Sequence, residues 1–170
     1  MRRIAITGPE SSGKTTLARA VAAHYGALWV QEFAREYLAR IDRPYVEADL
    51  IAIAKGQLAS EQAQEDPNRS LLVCDTDMIT HRIWSQEKYG RVAPELEQLV
   101  QGTLYDLALL CRPDIPWEYD PLRENPHDRD RLFALYHATL IELKRPFVII
   151  EGDRRERLHR AVHAIGEVMG

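Results

Sequence analysis

Cysteine is nearly absent. Cys74 and Cys111 are the only two, and they do not form a C-x-x-C pair. Each lies in or at the end of an apolar run. Both therefore read as buried thiols of a reducing compartment, not as metal ligands. The six histidines show no ligand spacing either. Positive charge is not in excess: 22 Lys and Arg stand against 26 Asp and Glu, a net charge of −4. That balance gives no electrostatic case for general nucleic-acid binding. Long apolar runs are missing, so no segment reaches membrane-spanning length. The chain starts directly on an apolar strand, which leaves no room for a signal peptide. A cytoplasmic protein is the expectation. No internal repeat or low-complexity stretch occurs. What is present is ordinary for a soluble domain: 170 residues, 45% apolar and 28% charged. The expectation is one domain over 1–170, large enough for a three-layer core.

The most informative stretch is Gly8-Pro9-Glu10-Ser11-Ser12-Gly13-Lys14-Thr15. It reads G-x-x-x-x-G-K-[ST], the phosphate-binding loop, which is specific when it follows a strand and opens a helix. Arg2 to Thr7 supplies the apolar, β-branched strand. Lys14 to Tyr25 supplies an alanine-rich helix, closed by Gly26. Gly8 and Gly13 allow the tight turn. The N–H groups of Glu10, Ser11, Ser12 and their neighbours then converge on one anion at the helix's positive end. Lys14 is placed to reach the β- and γ-phosphates of ATP. The Thr15 hydroxyl is placed to ligate Mg²⁺, and Thr16 to bond the α-phosphate.

Ala27 to Val30 reads as a second strand. With the intervening helix it makes a parallel strand–helix–strand unit. Ligands of parallel sheets bind just past the carboxyl ends of strands. Glu32 and Arg35 fall there; they are either site residues or the start of a solvated helix. Val46 to Asp66 reads as one helix with Leu50, Ile53, Ala54 and Leu58 on one face, Gln57 and Glu61 near it. Leu71 to Asp77 is a buried strand that ends in acids. Asp75 is the candidate for holding Mg²⁺. Asp77 either faces the acceptor or caps the helix Met78 to Tyr89. Trp84 on that helix is either a stacking platform or core.

Pro94 to Gln101 is a further helix and Tyr105 to Cys111 a fourth strand. Arg112 to Arg131 then carries four prolines, four arginines and six acids without a long apolar run. A charged loop just past a strand end is a natural lid, and Arg123 and Arg129 are its candidates for closing over phosphate. The alternative is a salt-bridged surface. Trp117 within it is unusual for solvent, and a ring-stacking role is weighed there. Leu132 to Lys144 is a helix, Pro146 to Gly152 the fifth strand, and Glu156 to Met169 the last helix. Leu158, Val162, Ile165 and Met169 are expected on its buried face. The loop Gly152 to Arg154 is a candidate rest for adenine.

These stretches together resemble a known family. GPESSGKTT (Gly8 to Thr16), WVQEFAREY (Trp29 to Tyr37), CDTD (Cys74 to Asp77), Trp84, Tyr105-Asp106-Leu107 and Asp114-Ile115-Pro116-Trp117, with Arg123 and Arg129 downstream, are similar to the ribosylnicotinamide kinase domain of NadR-type NAD-salvage proteins. These are P-loop nucleoside kinases, in the AAA-like ATPase branch of the P-loop superfamily. The likeness runs through nearly the whole chain. It implies an adenylate-kinase-like parallel sheet with the loop strand in the middle. It also implies ATP-dependent phosphorylation of the 5′-hydroxyl of nicotinamide riboside, giving nicotinamide mononucleotide.

On that reading Lys14, Thr15 and Asp75 hold phosphates and metal, and Asp75 or Glu32 takes or orients the hydroxyl proton. Arg35 and Asp77 position ribose, Trp84 or Trp117 stacks on nicotinamide, and Arg123 with the other lid arginines neutralises the migrating phosphoryl group. Two departures from the family pattern stand out. No H-x-G-H motif is present, so synthesis of NAD from the mononucleotide is not expected. Pro121 stands where the lid pattern has glycine. The rival readings are a kinase of the same fold for another nucleoside or nucleotide, and a non-catalytic ATP-binding module. Nothing in the sequence sets the oligomeric state.

Overall fold

The computed structural model describes residues 1–170. Five strands alternate with seven helices: β1 (Arg2–Thr7), α1 (Lys14–Tyr25), β2 (Leu28–Val30), α2 (Phe33–Arg40), α3 (Glu47–Ala63), β3 (Leu71–Asp75), α4 (Met78–Tyr89), α5 (Pro94–Gly102), β4 (Leu107–Cys111), α6 (Arg129–Glu142), β5 (Phe147–Ile150) and α7 (Arg154–Met169). All strand pairs are parallel, in the order β2-β3-β1-β4-β5, so the loop-bearing strand is central.

The apolar runs explain the layers. In β4 alternate residues serve opposite faces: Leu107, Leu109 and Cys111 join a core that includes Leu17, Val21, Ala161 and Ile165. Ala108 and Leu110 join another, with Ile79, Ile83, Val100, Phe133 and Leu140. Every residue of β3 and β4 is buried, as a parallel strand covered on both sides requires. Helices α1 and α7 thus cover one face, and α4, α5 and α6 the other. Both cysteines are buried free thiols. No helix is long and apolar enough to cross a membrane.

Several boundaries depart from the sequence expectation, each for a local reason. β4 starts at Leu107, because the Asp106 carboxylate is engaged by the Arg3 amide and the Arg2 guanidinium. α6 starts three residues early, at Arg129, through a polar first turn that carries no apolar periodicity. The lid segment is therefore 112–128. α7 starts at Arg154, because Asp153 and Glu156 form a reciprocal capping box. Its buried residues are Arg157, Ala161, Ala164 and Ile165, while Met169 is exposed. Small alanines, not the larger side chains, let α7 pack closely, so the stripe drawn through Met169 is displaced.

Candidate functional site: a phosphate loop at the carboxyl edge of the sheet

The loop between β1 and α1 is held in glycine-specific geometry. Gly8 has φ 135°, and a Cβ there would lie 2.7 Å from the Cys111 carbonyl oxygen. Gly13, the N-cap of α1, is left-handed at φ 82° and offers no side chain to the helix amides. Those amides therefore face the cleft and suit an anion. Ser12 Oγ donates to the Pro9 carbonyl at 2.7 Å, closing the turn. Lys14 Nζ lies across the loop, donating to the Gly8 and Pro9 carbonyls at 3.0 and 2.9 Å.

Acids from neighbouring strand ends meet the loop. Thr15 Oγ1 donates to Asp75 Oδ2 at 2.7 Å. Asp75 is buried, and its Oδ1 has no partner. Burial pushes the Asp75 carboxyl up, opposed by the Thr15 hydrogen bond and by Lys14. A hydroxyl beside a buried carboxylate with a free oxygen fits the needs of a Mg²⁺ that also takes phosphate oxygens. Glu32, at the N-cap of α2, lines the same cleft. Burial raises its carboxyl too; Lys14 and Arg35 pull it down, Asp75 and Glu10 push it up.

The cleft has a volume of about 1470 Å³ and holds Gly8, the loop residues, Thr16, Glu32, Arg35, Asp75, Trp84 and Arg123 along its walls. Single small-molecule sites run to about 1,000 Å³, so the cleft is larger than one such site. Gly152, Arg154 and Arg155, the stretch expected to meet adenine, also line it. Trp84 is half-buried and packs edge-on to His81 at 6.0 Å between centroids.

Three expected residues sit differently. Asp77 does not line the cleft; it caps α4, accepting from Thr80 N at 3.2 Å and Thr80 Oγ1 at 3.0 Å. The reason is position: two residues past Asp75, it falls at the N-cap of α4. Trp117 lies outside the cleft wall, with the Arg123 and Arg129 guanidinium groups 5.9 and 5.7 Å from its ring centre. Arg129 does not reach the cleft either. Its Nη1 donates to the Ser11 and Ile115 carbonyls, both at 2.9 Å, and so fastens lid to loop. The Glu10 side chain has the same job, accepting from the Glu124 and Asn125 amides at 3.1 Å. Ser11 Oγ accepts from the Glu118 amide at 2.9 Å. Across the cleft, Arg35 pairs with Asp120 of the lid at 2.7 Å.

Sequence reasoning missed Arg157. Only 4% exposed, it donates to the carbonyls of Ser12 at 2.5 Å and of Gly152 and Arg112 at 2.8 Å, and pairs with Asp114. One guanidinium thus ties the phosphate loop to the ends of β4 and β5. A signal existed: Arg157 occupies a stripe position, four before Ala161, where an apolar residue belongs.

Over its whole length the chain is 30% identical to the trifunctional NAD biosynthesis/regulator protein NadR of Escherichia coli (strain K12), and it spans 43% of that relative's length. Among solved structures, a NadR protein in complex with NR superposes with a TM-score of 0.79 at 27% identity, over 99% of this chain and 52% of the other. A deoxyadenosine kinase from M. mycoides superposes with a TM-score of 0.64 over 97% of this chain and 99% of its own. At 12% identity that second likeness shows the fold alone. The family model for the AAA domain AAA_28 matches residues 3–157, a span that takes in the loop, all of the sheet but Arg2, and Arg157. The chain belongs to the AAA_28 family of AAA domains.

Proposed function

We propose that this chain is an ATP-dependent nucleoside kinase whose acceptor is nicotinamide riboside, phosphorylated on its 5′-hydroxyl to nicotinamide mononucleotide. The observation that carries the proposal is one cleft lined by a phosphate loop, by Glu32, whose carboxyl burial raises, and by the aromatic side chain of Trp84. The likeness to NadR, including a structure with NR, supports the choice of acceptor.

In this mechanism the loop amides and Lys14 bind the β- and γ-phosphates of ATP, and Thr16 the α-phosphate. Thr15 and Asp75 would hold Mg²⁺, which supplies charge neutralisation on the phosphate oxygens. Arg35 orients the ribose, and Trp84 offers its ring face to the cationic nicotinamide. Glu32 accepts the proton of the 5′-hydroxyl as that oxygen bonds to the γ-phosphorus. The bond from that phosphorus to the bridging oxygen breaks, and ADP leaves. Arg123 is the lid arginine on the cleft wall, placed to meet charge on the transferred group. Positioning and electrostatics supply most of the rate.

Lys14→Ala tests the scheme. It should abolish phosphoryl transfer while circular dichroism and melting stay those of the parent. Normal turnover in that variant would overturn it.

A further inference from the structure

Glu32 has an unusual setting for a helix N-cap. Its side chain makes no capping bond to α2, although the first amides of any helix need an acceptor. The first of them, that of Phe33, finds its acceptor on another helix. Gln57 Oε1 of α3 takes the Phe33 N–H at 2.9 Å. Gln57 is 0% exposed and sits in the apolar stripe of α3, between Ala54 and Glu61. Its other end is also engaged: Nε2 donates to Glu61 Oε1 at 3.0 Å. Glu61, likewise 0% exposed, is held by the Arg3 guanidinium and by Tyr105 Oη, at 3.1 and 3.2 Å from its two oxygens. The first turn of α2 is thereby fixed to β1 and to the segment that leads into β4.

The residue before Gln57 points the same way. Gly56 lies inside α3, where glycine costs about 1 kcal/mol against alanine. A Cβ at Gly56 would run into the Phe33 ring. Two consecutive residues of α3 therefore receive Phe33, one its amide and the other its ring.

We infer that Gln57, with Gly56, is a positioning residue for Glu32: by holding the amide and ring of the next residue, Phe33, the pair fixes the backbone from which the Glu32 carboxylate faces the cleft. This rests on the kinase reading above. Removing Gln57 leaves the Phe33 amide without its acceptor. α2 then shifts, and the Glu32 carboxylate leaves its place beside Lys14 and Asp75.

The test is a double-mutant cycle on the full chain, with ATP and nicotinamide riboside. Gln57→Met keeps the side-chain length without the acceptor. In it the Phe33 amide should lose hydrogen-exchange protection, kcat should fall about tenfold to a hundredfold, and the KM for ATP should stay that of the parent. Added to Glu32→Gln, the same change should cost nothing further, because the group it positions is already gone. Gly56→Ala, which keeps the polar network but displaces the ring, should give the same fall in kcat at unchanged KM for ATP and carries the test if Gln57→Met does not fold. Unchanged kcat in a folded variant, or losses at Gln57 and Glu32 that multiply independently, would overturn the inference alone. A parent chain that binds ATP yet transfers nothing to any nucleoside would overturn the kinase reading and this inference with it.

Discussion

The Thr15 hydroxyl and the Asp75 carboxylate meet at 2.7 Å, although sixty positions of chain separate them. The contact exists because β1 and β3 are adjacent and in parallel register, with Ile6 beside Asp75. Both strands therefore deliver their last residues to the same edge. The second Asp75 oxygen is buried and unpartnered, which suits a cation. Asp75→Asn keeps the shape and removes the charge. Turnover should fall by about a hundredfold or more, with a higher Mg²⁺ concentration needed for half-maximal rate. A Mg²⁺ titration of initial rates checks both.

Arg157 should matter to ATP more than to the acceptor. Its guanidinium holds the Ser12 carbonyl and three further acceptors that no lysine can reach together. Arg157→Ala should lower stability by about 2 kcal/mol and raise the KM for ATP while the KM for nicotinamide riboside stays. Arg157→Lys should recover little of either. Urea unfolding and steady-state kinetics read the two effects.

Asp77 should prove structural. It caps α4, so Asp77→Asn, which retains a cap, should leave turnover unchanged. Asp77→Ala should cost about 1 kcal/mol of stability. Loss of activity in Asp77→Asn at full stability would restore Asp77 to the acceptor site.

His81 predicts a pH effect. It is 1% exposed, and neither ring nitrogen has a partner. Burial lowers its pKa from 6.5 to about 4. The unfolded chain then binds a proton at this group across the window from 6.5 down to about 4, and the folded chain does not. Its contribution is complete above 6.5 and is lost as pH falls through that window. His81→Leu removes the effect. Its urea midpoint, relative to the parent, should rise as pH is lowered from 7 to 4.5.

Trp84 and Trp117 separate the two stacking candidates. Trp84→Ala should raise the KM for nicotinamide riboside about tenfold and leave the KM for ATP unchanged. Trp117→Leu should spare the acceptor KM, because its ring lies near the Arg123 and Arg129 guanidinium groups and off the cleft wall.

The strands and the loop were legible because their signals are local. Apolar runs such as Leu71 to Asp75 need no partner to be recognised, and G-x-x-x-x-G-K-T states its own geometry. Asp75 was legible as an acid at the end of such a run. What stayed hidden depends on contacts between distant segments. Arg157 and Gln57 look like ordinary helix residues until the stripe they interrupt is packed against a neighbour. Arg129 carries the same charge as Arg123. Only the fold sends one to the Ser11 carbonyl and the other to the cleft wall. The start of α6 was missed because Asp128 makes no side-chain capping bond and Arg129 to Arg131 carry charge but no apolar period.

The most direct measurement is ADP release by the parent chain with ATP, Mg²⁺ and nicotinamide riboside. It is run beside ordinary nucleosides and their monophosphates. The predicted result is turnover that depends on an acceptor and strongly favours nicotinamide riboside. Turnover on another nucleoside would keep the mechanism and contradict the acceptor. ATP binding without acceptor-dependent ADP release would contradict the kinase assignment itself.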